Sequence, residues 1–359
     1  MTKSWQSYLT LSVIGIVLIS GFAIWTEIWV LTAIPIGFLF GFFLQKGDLC
    51  GASAFSEVLV MKDRRKVAGL WVLITVAMVG FALLDRLGWV ALNPKPFLYL
   101  NYLVGGILFG VGMVLAGGCV SGCLYKAATG NLNSILALLM IPVGVMLVEF
   151  GPLKPLLQAM GGHALSAPGG EKLSLQALTG LPFWAWALIF ATGTAVIGFK
   201  RLKHKQGSDT NKGISGSRFE NWVRRPWKPW HAGVAIGLLM VPAYLSSAAS
   251  GRNYPLGVTH GVMQAELLLI DSNFNHVYQK PAPAVSAAQG QTSPAPAPAS
   301  GKRVVWWLVL LILSLMLGSW VSARLSGKAK LLPKPPDELL VAVLGGLLVG
   351  TGAALARGC

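Results

Sequence analysis

The sequence predicts an all-α polytopic membrane protein made of two inverted-topology repeats with broken, re-entrant helices. Three observations lead to this fold class: an apolar composition, a series of apolar runs, and a glycine-rich phrase that occurs twice. Of 359 residues, 54% are hydrophobic and 12% are charged, whereas a soluble domain carries about a quarter charged residues. The apolar runs have the length that crosses a bilayer; they are 8–26, 67–84, 98–116, 132–148, 177–198, 232–249, 304–323 and 339–356.

The formal net charge of +16 lies in loops between these runs and not along one surface. The most basic loop, residues 200–230, also contains Trp222, Trp227 and Trp230. Between two spans, basic and aromatic residues together are typical of the membrane interface on the cytoplasmic side. The charge therefore predicts a lipid bilayer as partner, and no nucleic acid.

The repeated phrase reads GGILFGVGMVLAGGC over residues 105–119 and GGLLVGTGAALARGC over residues 345–359. Nine of the fifteen positions are identical. Each copy is an apolar helix that ends at a Gly–Cys pair instead of a charged flank. The pairs are Gly118–Cys119 and Gly358–Cys359.

Small residues four apart on a membrane helix allow another backbone to approach closely. We therefore expect two such faces, Gly106-xxx-Gly110 and Gly346-xxx-Gly350.

The distribution of basic loops makes the first copy run toward the cytoplasmic side and the second run away from it. Opposite directions indicate an inverted repeat, which places a substrate site near the midplane at broken helices. The predicted division is a first half over 1–198, with an N-terminal span and an extra span at 177–198. A basic cytoplasmic linker follows over 199–230. The second half covers 231–359, is expected to be truncated, and includes a Pro/Ala-rich loop at 281–300.

A broken helix is also predicted over residues 34–55. Its apolar part is short, and the polar run 45–48 interrupts it just before Cys50. A half-helix that begins inside the membrane directs unpaired N–H groups and a positive dipole end at the break. Such an end attracts anions.

The candidate site residues are the cysteines at these breaks, namely Cys50, Cys119 and Cys359, and the glycines that precede two of them, Gly118 and Gly358. Cys123 lies four residues after Cys119 and therefore on the same helix face; alone, it is more typical of an inert buried thiol. Basic residues near the breaks are few, and Lys46 and Lys126 are the candidates. This set favours a small anion with a sulfur atom that meets an S–H group.

Motifs for nucleotide binding, serine hydrolases and zinc peptidases are absent from the sequence. We therefore predict no enzyme activity, no catalytic residue, no cofactor and no metal site.

The stretches GDLCGASAF, GGILFGVGMVLAGGCVSGCLYKAATG and GGLLVGTGAALARGC resemble the signatures of the YeeE/YedE, or sulfur-transport, family of bacterial inner-membrane proteins. The resemblance implies two inverted halves with re-entrant helices and uptake of thiosulfate or a related sulfur compound. It implies that the family's cysteines correspond to Cys50, Cys119 and Cys359. A cytoplasmic sulfur-handling protein is then a candidate partner.

Two features depart from the family pattern. The position in the second half that corresponds to Cys50 falls within 254–259 and carries no thiol. The chain also stops at Cys359, where the family continues through another short helix and a further span.

The function predicted from the sequence is uptake of thiosulfate or a related inorganic sulfur anion across the inner membrane. Its substrate path comprises Cys50, Cys119, Cys359, Cys123, Gly118, Gly358 and Lys126. One alternative is a membrane thiol-redox protein that uses Cys119 and Cys123, although a spacing of four on a helix suits a disulfide poorly. Further alternatives are a permease for selenium compounds or a soft metal, and a purely structural membrane subunit.

Overall fold

The computed structural model describes residues 4–90, 92, 95–162, 165, 173–204, 222–270, 274–277, 302–331 and 334–358. The predicted Pro/Ala-rich loop and the predicted site residue Cys359 lie outside these ranges. The helices of the first half are α1 (Ser4–Trp25), a short 3-10 turn (Trp29–Thr32), α2 (Ala33–Gly47), α3 (Gly51–Val60), α4 (Arg65–Arg86), α5 (Tyr99–Leu115), α6 (Val120–Ala128), α7 (Leu132–Glu149), α8 (Lys154–Gly161), α9 (Leu175–Thr179) and α10 (Phe183–His204). The second half has α11 (Pro229–Ala249), α12 (Val258–Ile270), β1 (Phe274–Val277), β2 (Lys302–Val305), α13 (Trp306–Leu325) and α14 (Pro336–Leu355).

Among the described residues, eight helical segments are long and apolar enough to cross a membrane. The chain is therefore a multi-pass, all-α membrane protein, as the composition predicts. The predicted run at 177–198 is not among the eight. Within that run, Gly180 adopts a left-handed conformation with φ of +69° and ends α9, and the apolar helix described after it covers Phe183–Val196.

Two segments contain the helix breaks that the sequence indicates. Asp48 adopts φ 46° and ψ 42° after α2, and Gly117 adopts φ +67° after α5. α2 has 15 residues and α5 has 17. At 1.5 Å per residue these helices are about 22 and 25 Å long, shorter than a hydrocarbon core of about 30 Å. Each of these helices is followed by a second short helix, and the two together form one candidate span, Trp29–Val60 or Tyr99–Ala128.

The long helices pack in four main pairs: α2 with α13, α4 with α11, α5 with α14, and α7 with α14. A core of buried side chains surrounds the two breaks, and it includes Leu49, Cys50, Val120, Cys123 and Leu124. The fold thus holds both breaks at the centre of its packed interior. The short helices α3 and α6 begin inside this core.

The two copies of the glycine phrase pack directly against each other. Gly105 of α5 contacts Ala356, and Gly345 of α14 contacts Ala116. Gly112 of α5 likewise contacts Val349 of α14. Because the residue numbers rise along one helix as they fall along the other, α5 and α14 run antiparallel.

The expected close-packing faces are only half right. Gly346 and Gly350 do contact the backbone of α7, at Ala137 and Ile141. For the first copy the expectation is wrong, because no atom of the described chain lies within 4 Å of a methyl group added at Gly106 or Gly110. The physical reason is position: α14 packs between α7 and α5, so its glycines contact both helices, whereas on α5 the glycines that contact α14 are Gly105 and Gly112.

The segment between α11 and α13 also contains regular structure. It holds α12, whose 13 residues are too few for a span, and the strand β1. β1 pairs in parallel with β2, with Phe274 opposite Lys302.

The basic segments gather at one end of the helix bundle. Lys46 is buried at the end of α2, and its ammonium donates to the carbonyl of Val223 and, over 2.8 Å, to the Ser326 hydroxyl. The backbone N–H of Lys330 donates to the Thr129 carbonyl over 3.1 Å. The linker end and the loop between α13 and α14 therefore share this face with the ends of α2 and α6.

Candidate functional site

The two helix breaks bring the thiols of Cys50 and Cys119 together. Their sulfur atoms are 3.8 Å apart, although the residues are 69 positions apart in the chain. Cys50 is 1% exposed and precedes α3; Cys119 precedes α6. Both cysteines have extended backbone, with ψ of 133° and 178°. The N-terminal ends of the two short helices α3 and α6 therefore meet at these two sulfur atoms.

The two helix starts give the site its polarity. The first N–H groups of a helix have no intrahelical partner, and the aligned peptide dipoles leave a partial positive charge there. α3 has 10 residues and α6 has 9, and neither N-cap residue donates or accepts a side-chain capping bond. The arrangement can therefore bind a small anion through backbone N–H groups, with S–H groups beside it.

Gly122 provides the space for the Cys50 thiol. A methyl group added at Gly122 would collide with the sulfur of Cys50 and would lie 3.5 Å from that of Cys119. Any larger residue here would push the thiols apart. The hydroxyl of Ser121 is 3.4 Å from the Cys119 sulfur and supplies a polar group on the same side.

Cys123 does not join the pair. Its S–H donates to the carbonyl of Gly118 over 3.4 Å, and its side chain is fully buried. Gly118 is therefore a backbone partner for Cys123. Among the described thiols the geometry pairs Cys119 with Cys50, where the spacing alone had suggested Cys123.

The two candidate basic residues bind backbone carbonyls. The Lys126 ammonium donates to Gly117 over 2.6 Å, at the end of α5. The contacts of Lys46 are with Val223 and Ser326. Lys126 thus holds the α5 break in place, and Lys46 holds the linker against α2.

A polar network behind the thiols was missed in the sequence. The Asp48 carboxylate accepts from the Tyr125 hydroxyl over 2.7 Å and from the Lys66 ammonium over 2.6 Å. Lys66 also pairs with Glu57 at 2.6 Å. These bonds connect the α2–α3 break to α4 and α6. The signal in the sequence was Asp48, a carboxylate inside an otherwise apolar break.

A cavity of about 340 Å³ opens beside the α5 break. Its lining includes Gly117, Asn133, Lys334 and Glu338. Lys334 and Glu338 form an ion pair at 2.8 Å. The cavity reaches within two residues of Cys119 on the basic side of the bundle.

The second glycine phrase ends at the opposite end of the α5–α14 pair. There the Lys95 ammonium donates to the Arg357 carbonyl over 2.9 Å, and Gly358 follows with φ of +155°.

In the adjoining loop, burial lowers the pKa of Arg252 to about 10. Arg252 therefore stays protonated near neutral pH, and it donates to the Pro255 carbonyl over 2.8 Å.

Comparisons with known proteins agree on one family. The family model described as "Sulphur transport" matches residues 46–359. The thiosulfate transporter TsuA of Spirochaeta thermophila is 30% identical over 342 residues, covering 92% of this chain and 88% of that protein. The thiosulfate transporter TsuA of Escherichia coli is 27% identical over 335 residues, with coverage of 92% and 85%.

Proposed function

The chain belongs to the sulphur transport family, and from this premise we propose that it carries thiosulfate or a related sulfur anion across the bacterial inner membrane. The observation on which the proposal rests is the thiol pair, with Cys50 and Cys119 sulfurs 3.8 Å apart at two helix starts. The names of the two relatives support the substrate class. We infer transport, because both relatives that cover most of this chain are named thiosulfate transporters.

The path we propose has two levels along the α5–α14 pair. Because these helices run antiparallel, Gly118 and Gly358 lie at opposite ends of the pair, and each marks one level. The reciprocal contacts of Gly105 with Ala356 and of Gly345 with Ala116 support an inverted repeat. By this proposal Cys50 and Cys119 form the inner level, near the basic end, and Gly358, which directly precedes Cys359 in the sequence, marks the outer level.

The anion would move through the inner level by exchanging weak contacts. Its oxygens would accept from the N–H groups at the starts of α3 and α6, and its terminal sulfur would accept from an S–H group. Lys126 and Lys46 donate to backbone carbonyls, so the contacts that we propose for the anion are those with the N–H and S–H groups. Weak, replaceable contacts suit conduction, since an ion that binds must also leave. The 340 Å³ cavity beside Gly117 would lead to the cytoplasm and, we propose, to a sulfur-handling protein there.

The decisive experiment is uptake of ³⁵S-thiosulfate by proteoliposomes containing the wild-type chain or Cys119→Ala. We expect the variant to lose most of the uptake, because it removes one of the two S–H groups of the inner level. Cys123→Ala is the matched control, since it removes a thiol four residues away that bonds to Gly118, and it should retain uptake. Unchanged uptake by Cys119→Ala would contradict the role of the thiols. Competition by sulfate, sulfite and selenosulfate would define the substrate class.

A further inference from the structure

The thiols of Cys50 and Cys119 can form a covalent bond as well as a hydrogen bond. Cys50 and Cys119 are both reduced, and their sulfurs are 3.8 Å apart. A disulfide requires about 2.05 Å between the sulfurs, so an approach of about 1.8 Å joins them. Both cysteines precede a short helix, and closure requires their side chains and the two breaks to move by this amount.

We propose that Cys50 and Cys119 form a dithiol site for polythionates, sulfur anions that contain an S–S bond between sulfonate-bearing sulfurs, of which tetrathionate is the simplest probe. The site reduces the polythionate and becomes a disulfide that closes the path. This inference rests on the proposed function, because a sulfur-anion path is what brings such an oxidant to buried thiols.

The step balances without a further reactant. A Cys thiolate attacks one of the two central sulfurs of tetrathionate, the central S–S bond breaks, and one thiosulfate leaves. The cysteine sulfur is then bonded to an S₂O₃ group, as Cys–S–S–SO₃⁻. Its proton was lost when the thiolate formed. The second thiolate attacks the cysteine sulfur of this adduct and displaces a second thiosulfate. Overall, two thiols lose two protons and two electrons, and one tetrathionate becomes two thiosulfates.

The surroundings favour intramolecular closure over a stable adduct. The second thiol is already in van der Waals contact with the first. A methyl group at Gly122 would meet the Cys50 sulfur, so an S₂O₃ group bonded to Cys50 is crowded on the Gly122 side. The Cys123 thiol is held by the Gly118 carbonyl and does not compete. Closure would join the N-terminal ends of α3 and α6 and remove both S–H groups from the path.

The test treats the full chain in proteoliposomes with tetrathionate, then denatures and alkylates it without reduction. Peptide mass spectrometry is expected to find residues 50 and 119 in one cross-linked peptide pair, with Cys123 alkylated. Uptake of ³⁵S-thiosulfate is expected to be lost after treatment and restored by dithiothreitol. Cys123→Ala should form the same cross-link, and Cys50→Ser should give an adduct on Cys119 in place of a cross-link.

The results separate this inference from the proposed function. If untreated wild type takes up thiosulfate but tetrathionate leaves both thiols free, the inference is overturned and the transport proposal stands. If diamide forms the cross-link and tetrathionate does not, the assignment to polythionates is overturned. If the cross-link forms but untreated protein shows no thiosulfate uptake, the transport proposal fails while the dithiol chemistry holds.

Discussion

At the scale of residues, Gly122 determines how close the two thiols are. It lies in α6 with its Cα facing Cys50, and a methyl group there would collide with the Cys50 sulfur. The site therefore depends on the absence of a side chain at this position as much as on the two sulfurs. Alanine favours helices more than glycine does, so any loss from a substitution here comes from contact and not from helix propensity.

We expect Gly122→Ala to separate the thiols and reduce thiosulfate uptake strongly, with an overpacking cost of about 1–3 kcal/mol in unfolding free energy. The measurements are proteoliposome uptake and thermal unfolding in detergent. Gly51→Ala is the matched control, because it is also next to a site cysteine but nothing lies within 4 Å of the added methyl. Equal uptake by the two variants would contradict the dependence on thiol spacing.

Lys66 is the residue that connects the break to α4. Its side chain is 14% exposed and its ammonium is 2.6 Å from both Asp48 and Glu57. Lys66→Met would leave the half-exposed Asp48 carboxylate and the more buried Glu57 carboxylate without this donor. We expect a loss of about 1–2 kcal/mol in unfolding free energy and lower uptake, because Asp48 positions the Cys50 break.

Lys62→Met serves as its control in the same assays, since it removes an equal charge from the same end of the bundle. Lys62 is exposed at the end of α3. If both variants lose the same stability, the effect comes from the loss of basic charge and the ion-pair network is not its cause.

At the scale of elements, the positions of the breaks could be predicted and their packing faces could not. Polar residues in an apolar run indicated the α2–α3 break, and a doubled Gly–Cys phrase indicated the ends of α5 and α14. The packing face was ambiguous because each phrase has glycines on two faces. Residues 105 and 112 are seven apart and residues 106 and 110 are four apart, so both pairs have helical spacing. Which pair is used depends on the neighbours that the fold supplies.

The equivalent glycines Gly350 and Gly110 test this difference. Gly350 contacts the Ile141 carbonyl of α7, whereas Gly110 has no described neighbour within 4 Å. We expect Gly350→Ala to destabilise the protein by about 1–3 kcal/mol or more through overpacking. Gly110→Ala should leave stability unchanged or raise it by up to about 1 kcal/mol. Thermal unfolding of the two variants in one detergent measures both, and equal shifts would contradict the assigned faces.

At the scale of the whole molecule, composition and run length were sufficient to predict a multi-pass helical protein. The contact between Cys50 and Cys119 was beyond prediction, because it depends on how two breaks 69 residues apart dock in three dimensions. The same holds for Tyr125 and Lys66, whose role follows only from their contact with Asp48. Spacing instead pointed to Cys123, since local periodicity is visible in a sequence and long-range docking is not.

The orientation of the bundle gives the last prediction. Lys330 lies at the basic end, where its N–H donates to Thr129, and Lys154 begins α8 beyond the opposite end of α7; both side chains are exposed. Basic loops stay on the cytoplasmic side during insertion. In intact cells, a membrane-impermeant maleimide should therefore label Lys154→Cys and spare Lys330→Cys, and permeabilised cells should label both. The unmodified chain controls for the native thiols. Labelling of Lys330→Cys in intact cells would reverse the orientation and place the Cys50–Cys119 level nearer the outer face, so that the anion would meet the thiol pair first.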